Sequence, residues 1–407
     1  MDAVSILRQY IKHGRLTLRL PGGRIESFGE GLPDVEWALH KTDTLRRIAT
    51  DPTLMLGETY MDGEWDITKG SILSLLEILL SNLPHQLIGQ RGFFFKHLQK
   101  LIRRGNTIMR SYRNVAHHYD LDEWLFRRFL DPDMHYSCAY FYEPDISLQE
   151  AQRAKCQHIM TKLLLQPRQR VLDIGCGWGG LALYLAEHAG VEVTGLTLSR
   201  EQLRVAEQRV KEHGLQGRVK FHLQDYREHQ GSYDRIVSVG MFEHVGRTHY
   251  PEYFEQVRRL LHPDGVALLH TIGHSGAPVE TNPWIAKYIF PGGYNPSLSE
   301  VSSAFEKSGL INCDVEVWRL HYAETLAAWH KNFQAHRADV AQRLGERFCR
   351  MWEYYLTTCE ASFRWYNVVV FQIQLAHRLD AVPITRDYLY QDASDVAQMS
   401  RKNFSAS

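Results

Sequence analysis

A glycine-rich loop in the middle of the chain has the residue types needed to bind a nucleotide-containing cofactor. It reads Asp173-Ile-Gly-Cys-Gly-Trp-Gly179, and it lies between an apolar run typical of a strand and a run typical of a helix. Glycine permits a tight turn and lets the backbone approach a ligand closely at the N-terminus of the helix. The loop therefore predicts a cofactor site at the carboxyl end of this strand.

Two classes of cofactor are compatible with this loop. Gly175, Gly177 and Gly180 satisfy the GxGxxG pattern of dinucleotide-binding enzymes. That pattern also requires an acidic residue near the end of the second strand, but this strand ends Gly195-Leu-Thr-Leu-Ser199, without a carboxylate. Asp173 can orient the backbone and the charged end of a cofactor, and its placement resembles motif I of the class I methyltransferases. We therefore favour a methyl-donor site over a dinucleotide site.

Further polar residues stand where other predicted strands end. Asp225 and Tyr226 follow the third strand, where a side chain can reach an adenine ring. Asp225 is equally suited to capping a turn, but the carboxyl end of a parallel strand favours contact with a ligand. Glu243 and His270 each follow an apolar strand as well. All these residues are therefore predicted at one edge of a sheet.

The order of the predicted elements explains why these residues should meet. From about Lys155 strands alternate with helices, which predicts an α/β fold with a mostly parallel, doubly wound sheet covered by helices on both faces. The predicted strands span residues 170–174, 191–198, 219–223, 235–239 and 266–271, and the predicted helices 181–188, 200–213 and 253–261. In such sheets ligands bind at the carboxyl ends of the strands.

The first part of the chain predicts a smaller α+β domain. Residues 1–82 combine short apolar alternations, such as Leu16-Thr-Leu-Arg-Leu20, with glycine, proline and a helical apolar stretch at 72–80. We place four regions along the chain. They are an N-terminal domain at residues 1–104, a basic linker at 105–119, a catalytic domain at 120–390 and a polar, mobile tail at 391–407.

A segment without acidic residues joins the two domains. There is no Asp or Glu from Ile78 to Tyr119, and within Phe94–Arg104 apolar and basic side chains fall on opposite faces of a helix. Such a helix can lie on an anionic membrane, or it can pack between domains with its basic face in solvent. The basic residues of the segment are Arg91, Lys96, Lys100, Arg103, Arg104, Arg110 and Arg113.

Composition narrows the class of protein. With 407 residues, 44% hydrophobic and 23% charged, the chain is an ordinary globular protein of two domains. Lys+Arg and Asp+Glu both number 47, so we expect no nucleic-acid partner. No apolar run approaches the ~18 residues that span a bilayer, and no signal-peptide core is present, which predicts a cytoplasmic protein. The six cysteines lack CxxC spacing, so we expect neither a metal site nor a disulfide framework.

Several short motifs stand in a fixed order along the chain. They are His117-His-Tyr-Asp120, Leu130-Asp-Pro132, Tyr136-Ser-Cys-Ala-Tyr-Phe141, residues 171–180, residues 195–199 with Gln202, residues 238–246, residues 269–273, Trp284-Ile285, residues 287–293 and Trp329. They cover about 112–376, and residues 56–65 extend them into the N-terminal domain. In this order they resemble the cyclopropane-fatty-acid synthases and the related mycolic-acid cyclopropane synthases. The resemblance implies a class I, Rossmann-like methyltransferase fold.

The resemblance also implies a reaction. That family transfers a methyl group from S-adenosylmethionine to a cis double bond, giving a carbocation, and then removes a proton so that a cyclopropane ring closes. The implied base is a bound bicarbonate, and its implied ligands are Cys138, Glu243, His270, Ile272 and Tyr322, the cysteine and isoleucine largely through backbone groups. Glu316 is expected to support Tyr322. The segment before Tyr322 is shorter than in the family, so Tyr354 and Tyr355 are alternatives.

Further residues are carried over to the cofactor and to the acyl chain. The implied contacts of S-adenosylmethionine are Tyr136, Ser137, Asp173, Gly175, Cys176, Gly177, Gly179, Thr197, Gln202, Asp225 and Tyr226. A predicted acyl tunnel comprises Tyr288, Phe290, Phe348, Met351 and Tyr355. Aromatic faces near the reaction, from Tyr136, Tyr140 and Phe141, can stabilise positive charge.

The residue types themselves agree with a small anionic base. Glu243 can accept a hydrogen bond from the protonated oxygen of bicarbonate, and His270 and Tyr322 can donate to its other oxygens. Taken singly, Cys138 is typical of a small buried filler and His270 of a satisfied core histidine. Only the ordered set of motifs favours the catalytic interpretation of both.

The resulting prediction is a phospholipid-modifying enzyme that works as a homodimer at the inner face of a membrane, with the membrane surface and an unsaturated acyl chain as partners. Three other interpretations stay open. The retained bicarbonate residues argue against methylation of a small amine, but acyl methylation without ring closure remains an alternative. A dinucleotide-dependent oxidoreductase is disfavoured by the missing carboxylate, and a non-catalytic lipid-binding module by the intact cofactor loop.

Overall fold

The computed structural model describes residues 3–84 and 123–390, and the elements below are numbered in chain order over those residues. The predicted basic helix at 94–104, the linker at 105–119, the motif at 117–120 and the tail at 391–407 lie outside the described residues. The domain boundary at 104 therefore stays a prediction.

The N-terminal region folds around a four-stranded sheet in the order β2-β1-β3-β4. Strands β1 and β3 are parallel, and the other two pairs are antiparallel. Leu16 and Leu18 are fully buried on one face of β1, as their alternation predicts. Its elements are α1 (Ala3–Tyr10), β1 (His13–Arg19), β2 (Ile25–Phe28), β3 (Glu30–Leu39), α2 (Thr44–Thr50), α3 (Pro52–Met61), β4 (Trp65–Lys69) and α4 (Ile72–Asn82). The predicted α+β region is confirmed.

The remainder of the described chain forms a seven-stranded sheet in the order β10-β11-β9-β8-β5-β6-β7. Neighbours from β9 to β7 are parallel, and β11 runs antiparallel to both β9 and β10. The strands are β5 (Arg170–Ile174), β6 (Glu192–Thr197), β7 (Val219–Leu223), β8 (Tyr233–Val239), β9 (Leu261–His274), β10 (Ile311–Trp318) and β11 (Val368–Ala376).

Ten helices of this region surround the sheet or cover its carboxyl edge. They are α5 (Glu123–Phe129), α6 (Leu148–Lys162), α7 (Gly180–Ala189), α8 (Arg200–Glu212), α9 (Tyr250–Leu260), α10 (Pro283–Tyr288), α11 (Leu298–Ser308), α12 (His321–Ala335), α13 (Arg337–Leu344) and α14 (Glu346–Trp365). The predicted strands at 170–174 and 219–223 are confirmed residue for residue, and the other predicted elements differ only at their ends. Strands β10 and β11 were not predicted.

Alternating side chains of the central strands enter two different apolar clusters. Val171 packs with residues of α6, α7 and α8 on one face, and Leu172 packs with α9 and α11 on the other. Strand β5 is consequently buried on both faces, as a central parallel strand must be. Because β6 and β8 flank β5 and the strand order reverses there, the carboxyl end of β5 opens into a crevice where ligands bind in such sheets.

The N-terminal region packs directly against α14 and α10. Arg350 on α14 donates to the carbonyl oxygens of Tyr60 and Trp65 at 2.5 and 2.7 Å. A Cβ atom built on Gly57 of α3 would lie 2.5 Å from the Trp284 indole and 2.6 Å from the Tyr354 ring. Glycine is therefore required where α3 approaches these two helices.

Candidate active site

The glycine loop turns sharply between β5 and α7. Gly175 and Gly177 have φ values of +86° and +53°, in the left-handed region that favours glycine. The amides of Gly175 and Cys176 donate to the Leu196 carbonyl at 3.0 and 2.9 Å, which ties the loop to β6. Apart from its two chain neighbours, no atom of the described residues lies within 4 Å of a Cβ built on Gly177, and this glycine lines the pocket.

The loop forms one wall of a pocket of about 1280 Å³, open solvent at its mouth included. The predicted cofactor residues that line it are Tyr136, Ser137, Asp173, Gly175, Cys176, Gly177, Thr197, Gln202, Asp225 and Tyr226. Gly179 is not among the lining residues. A Cβ on Gly179 would lie 2.8 Å from the Phe221 ring, so this glycine serves the packing of α7 against the sheet.

Polar residues at the ends of β6 and β7 occupy one end of the pocket. Thr197 donates to Gln202 Oε1 at 2.8 Å, so the two predicted contacts support each other. Asp225 accepts from Arg227 Nε at 2.9 Å and from its terminal nitrogen at 2.7 Å, and it also accepts from the Arg227 backbone amide at 3.0 Å. Asp225 therefore caps the turn that follows β7 and also lines the pocket.

Asp173 has an unsatisfied oxygen in the wall of this pocket. The residue is 2% exposed, and its Oδ2 has no hydrogen-bond partner among the described residues. Burial raises the pKa of this carboxyl to about 7. A buried, unpaired acceptor of this kind is costly without a ligand, because desolvation is not compensated. The position fits a cationic group of the cofactor.

A second group of predicted residues gathers around Glu243. It lies on the 3₁₀ turn Phe242–His244 after β8, and its Oε1 accepts from the Ile272 amide at 2.5 Å. Among the described residues its buried Oε2 accepts no hydrogen bond of normal geometry, although the Thr271 hydroxyl lies nearby, and burial raises the pKa of the carboxyl to about 7. Two of the five implied bicarbonate ligands are thus in direct contact.

Cys138 and Tyr322 belong to the same neighbourhood. Burial, together with Tyr136, Cys138 and Glu243 nearby, raises the pKa of the Tyr322 phenol. The loop that carries Cys138 is fixed to α12, the helix of Tyr322, because the Ala139 amide donates to Thr325 Oγ1 at 3.0 Å. Burial also raises the pKa of the Cys138 thiol, which keeps it protonated.

The alternative tyrosines are held by other partners, although Tyr355 lies near Tyr322. Tyr355 shares a hydrogen bond of 2.7 Å with the Tyr136 hydroxyl, at the wall of the cofactor pocket. Tyr354 packs edge-on against Trp284, at the contact with α3. Tyr322 therefore fits the Glu243 group best.

His270 is held by residues behind that group. Its Nδ1 accepts from Gln372 Nε2 at 3.1 Å, and its ring packs edge-on against Trp318. Burial and nearby cations lower its pKa well below the usual value, so the ring is neutral. A neutral ring that accepts at Nδ1 carries its proton on Nε2, which leaves Nε2–H as a donor.

Glu316 does not support Tyr322. Its carboxylate binds His158 Nε2 at 2.7 Å and Lys162 Nζ at 2.5 Å, and these partners hold the pKa of the carboxyl far below its usual range. The expectation was wrong because strand β10 directs this side chain toward α6, and helix α12 begins three residues after Trp318.

Of the predicted tunnel residues, Tyr355 belongs to the apolar cluster that also contains Tyr322 and Cys138, and the other four are partly buried and pack against it. Phe290 and Tyr355 have ring centroids 6.0 Å apart, and the Phe348 ring stacks on Trp352. Tyr288 donates to Glu58 of α3 at 2.9 Å, so one predicted tunnel residue is bound to the N-terminal region.

Sequence reasoning missed several residues of the pocket wall. Lys155 and His135 line it. Cys156 and Asp131, which pairs with His135 at 3.0 Å, raise the pKa of this buried imidazole to about 9 against the effect of burial. The available signal for Lys155 was a lysine on the apolar face of α6, where Ile159 and Cys156 are also fully buried. His244 was adjacent to a predicted residue and also lines the pocket.

Within residues 3–84 and 123–390 no helix has both the length and the apolar composition that a bilayer-spanning segment needs.

Comparison with known proteins identifies the family. The family model described as mycolic acid cyclopropane synthetase matches residues 106–373, and a domain of unknown function matches residues 5–87. The chain is 41% identical to the cyclopropane-fatty-acyl-phospholipid synthase of Escherichia coli, over 81% of this chain and 85% of that protein. It is 37% identical to the tuberculostearic acid methyltransferase of Mycobacterium tuberculosis, over 80% of this chain and 79% of that protein.

Solved structures agree with the sequence comparisons. A cyclopropane synthase from Mycobacterium tuberculosis superposes with a TM-score of 0.62 at 36% identity, covering 65% of this chain and 98% of the other. A mycolic acid cyclopropane synthase in complex with SAH (S-adenosylhomocysteine) gives 0.61 at 36% identity, covering 65% and 97%. The interpretation as a dinucleotide-dependent oxidoreductase is therefore wrong. This chain belongs to the mycolic acid cyclopropane synthetase family and is an S-adenosylmethionine-dependent methyltransferase of class I fold.

Proposed function

We propose that this enzyme transfers the methyl carbon of S-adenosylmethionine to the cis double bond of an unsaturated acyl chain in a membrane phospholipid and closes a cyclopropane ring, with bicarbonate as the bound base. The observation that carries the proposal is the Glu243 carboxyl, which is buried, bonded to the Ile272 amide and left with one oxygen that no described residue satisfies. This oxygen is a preformed acceptor for a small protonated anion.

The chemistry of the reaction explains why such a group is needed. Adding a methyl cation to an alkene leaves positive charge on the chain, and ring closure requires loss of one proton from the added carbon. A base held away from the sulfonium can accept this proton without being methylated itself. Glu243 follows β8, next to the strand that bears the cofactor loop, so the two sites are neighbours at one sheet edge.

The residues around Glu243 fit bicarbonate. The unpaired Oε2 of Glu243 is suited to its hydroxyl, and the Tyr322 hydroxyl and the Nε2–H of His270 are suited to its anionic oxygens. Bicarbonate, when bound, supplies a general base for the proton. Cys138 contributes through its backbone in this arrangement, because its protonated, buried thiol is not a nucleophile.

Aromatic side chains near these residues suit the transient positive charge. Tyr136 lines the cofactor pocket, stacks on Trp329 at 5.1 Å and is hydrogen-bonded to Tyr355. The negative faces of such rings stabilise a cation that has been removed from water. The fixed contacts of Tyr136 hold its ring in place.

Methylation of the acyl chain without ring closure is the second candidate. It is favoured by the relatives whose names describe fatty acid methylation, one of them 39% identical over 65% of this chain. It shares the first step with cyclopropanation and differs in the fate of the cation. In both candidates the cation must lose a proton, from the added carbon for ring closure and from a chain carbon for a methyl-branched alkene, so the Glu243 group can serve either. Ring closure is favoured by the relative named cyclopropane-fatty-acyl-phospholipid synthase, which is 41% identical over 81% of this chain.

One assay tests both candidates. Vesicles of an unsaturated phospholipid are incubated with the enzyme and S-adenosylmethionine carrying a CD₃ group, and the acyl chains are analysed by mass spectrometry. Ring closure retains two deuterium atoms and removes the double bond. A chain that retains all three deuterium atoms supports methylation, and unmodified chains with methylation of a head-group amine would refute both. Asp173→Ala serves as the inactive control.

Membrane association is a further part of the proposal. We infer that the N-terminal domain and the basic segment at 91–113 deliver the catalytic domain to the inner face of an anionic membrane, and that the enzyme acts as a homodimer. The support is the sequence itself, since seven basic and no acidic residues stand between Ile78 and Tyr119. Sedimentation equilibrium tests the dimer, and flotation with anionic vesicles tests the membrane contact.

A further inference from the structure

A buried lysine lies in the wall of the cofactor pocket, where the family resemblance assigned no cation. Lys155 on α6 is 1% exposed and lines the same pocket as Asp173 and Gly177. Its Nζ donates to Ser137 Oγ at 3.0 Å and to Gln152 Oε1 at 2.8 Å. An ammonium group has three N–H donors, so these two bonds leave one donor for a ligand.

This cation forms no direct ion pair in the described part of the chain, although Asp131 and Asp173 lie near enough to interact with its charge. Both of its hydrogen bonds go to neutral side chains, and no described carboxylate oxygen lies within 4.0 Å of its Nζ. Lys162, the other buried lysine of α6, instead pairs with Glu316 at 2.5 Å. A buried ammonium whose hydrogen bonds go only to neutral groups is unfavourable, and burial accordingly lowers the pKa of Lys155 despite the nearby Asp131 and Asp173. An anionic ligand group in the pocket would offset the unfavourable free energy of burying this ammonium.

The order of the strands shows which part of the cofactor lies here. Asp225 follows β7, Thr197 ends β6 and Asp173 lies in β5, so the pocket crosses three adjacent strands. Glu243 follows β8, on the far side of β5. A cofactor with its adenine at β7 and its methyl group toward Glu243 has its amino-acid end beside β5. That is where Lys155, Ser137 and Asp173 lie.

We propose that Lys155 binds the α-carboxylate of S-adenosylmethionine, while the unpaired oxygen of Asp173 accepts a hydrogen bond from its α-ammonium group. The inference rests on the proposed assignment of this pocket to the cofactor, and it deepens that assignment. Two complementary charges in the wall match the two charges of the amino-acid end. The pocket therefore selects the zwitterion and rejects adenosine derivatives that lack the carboxylate.

Calorimetric titration with two ligands tests this assignment. S-adenosylhomocysteine has the carboxylate, and decarboxylated S-adenosylhomocysteine retains the amine without it. We expect the parent enzyme to bind the first at least about 30-fold more tightly, the usual effect of leaving a buried charge unpaired. Lys155→Met should lose this preference by weakening S-adenosylhomocysteine binding, with binding of the decarboxylated ligand unchanged or tighter.

Lys162→Met is the matched control, since it removes a buried lysine of the same helix that does not line the pocket. It should retain the parental preference whatever its thermal midpoint. If Lys155→Met fails to fold, Lys155→Gln, which retains a donor for Ser137, replaces it. Equal binding of the two ligands by the parent, or equal weakening of both in the Lys155 variant, overturns the inference. A parent that binds neither ligand overturns the proposed function as well.

Discussion

Replacing Glu243 by glutamine changes the charge of this side chain but not its shape. In the parent, Oε1 accepts from the Ile272 amide at 2.5 Å, and Oε2 has no hydrogen-bond partner in the part of the chain that the structure describes. The amide oxygen of glutamine can accept the same bond, but its NH₂ group places two donors where an acceptor stood. We therefore expect the variant to fold and to bind S-adenosylmethionine with nearly parental affinity, while it holds the small base poorly.

The burial of Glu243 sets the size of the effect on stability. Burial raises its pKa from 4.5 to about 7, and at about 1.36 kcal/mol for each pKa unit the ionised form costs about 3 kcal/mol in the folded state. Between these pH values the folded state holds a proton that the unfolded state has lost, so the free energy of unfolding falls as the pH rises. The glutamine variant does not lose this stability. The free energy of unfolding of Glu243→Gln minus that of the parent should therefore rise by about 3 kcal/mol from about pH 4 to about pH 8.

Catalysis should change in the opposite direction. Turnover of Glu243→Gln should fall by about 100-fold or more, the usual contribution of a general base, and added bicarbonate should restore part of it by mass action. The assay measures cyclopropane formation in phospholipid vesicles with and without bicarbonate, and urea unfolding at both pH values gives the stabilities. Parental turnover in bicarbonate-depleted buffer would refute the base assignment. A stability difference that is independent of pH would refute the burial argument.

Three further predictions concern the cofactor, the base and the membrane. Gly177→Val should abolish binding of S-adenosylmethionine in calorimetry, because the valine side chain enters the pocket. Asp173→Ala should weaken binding strongly, because it removes the acceptor for the ammonium group. Unchanged affinity in either variant contradicts the role of that residue. Tyr322→Phe keeps the ring packing against Phe363 and should lower turnover by about tenfold or more without changing cofactor affinity; parental turnover would favour another tyrosine. A fourfold glutamine variant should bind anionic vesicles more weakly at low salt, with a smaller difference at high salt, and equal flotation at low salt contradicts the membrane role. Its positions are Lys96, Lys100, Arg103 and Arg104.

The cofactor pocket could be predicted from the sequence because its signals are local. The glycines need particular φ values, and polar residues such as Thr197 and Asp225 stand at the end of a strand or within two residues of it. Because strands alternate with helices, the strands run parallel, and these residues meet at the carboxyl edge of the sheet. Gly179 shows the limit of the argument, since its motif position suggested a cofactor contact but Phe221 occupies the space beside it.

Contacts between distant segments could not be predicted in this way. Glu243 and Ile272 were placed together only by the family resemblance, and Glu316 was given the wrong partner, because the direction of a side chain on an edge strand depends on register with β11. Lys155 was overlooked because a lysine within a helix is usually solvated, and only tertiary packing shows that α6 turns it inward.

The packing of α14 bears on how an enzyme of this family can gain or lose a region of its chain. Arg350 and the Tyr354 ring face the N-terminal region, and the Glu353 carboxylate is bonded to the Tyr60 hydroxyl at 3.1 Å. The mycobacterial synthase aligns over 98% of its length with only 65% of this chain, which leaves no room in it for a comparable region. A chain shortened to that length would expose this face of α14 to water. We therefore expect the shorter relatives to carry a different, more hydrophilic surface on the corresponding helix. Loss or gain of the N-terminal region then requires substitutions on this helix as well as the deletion or insertion itself.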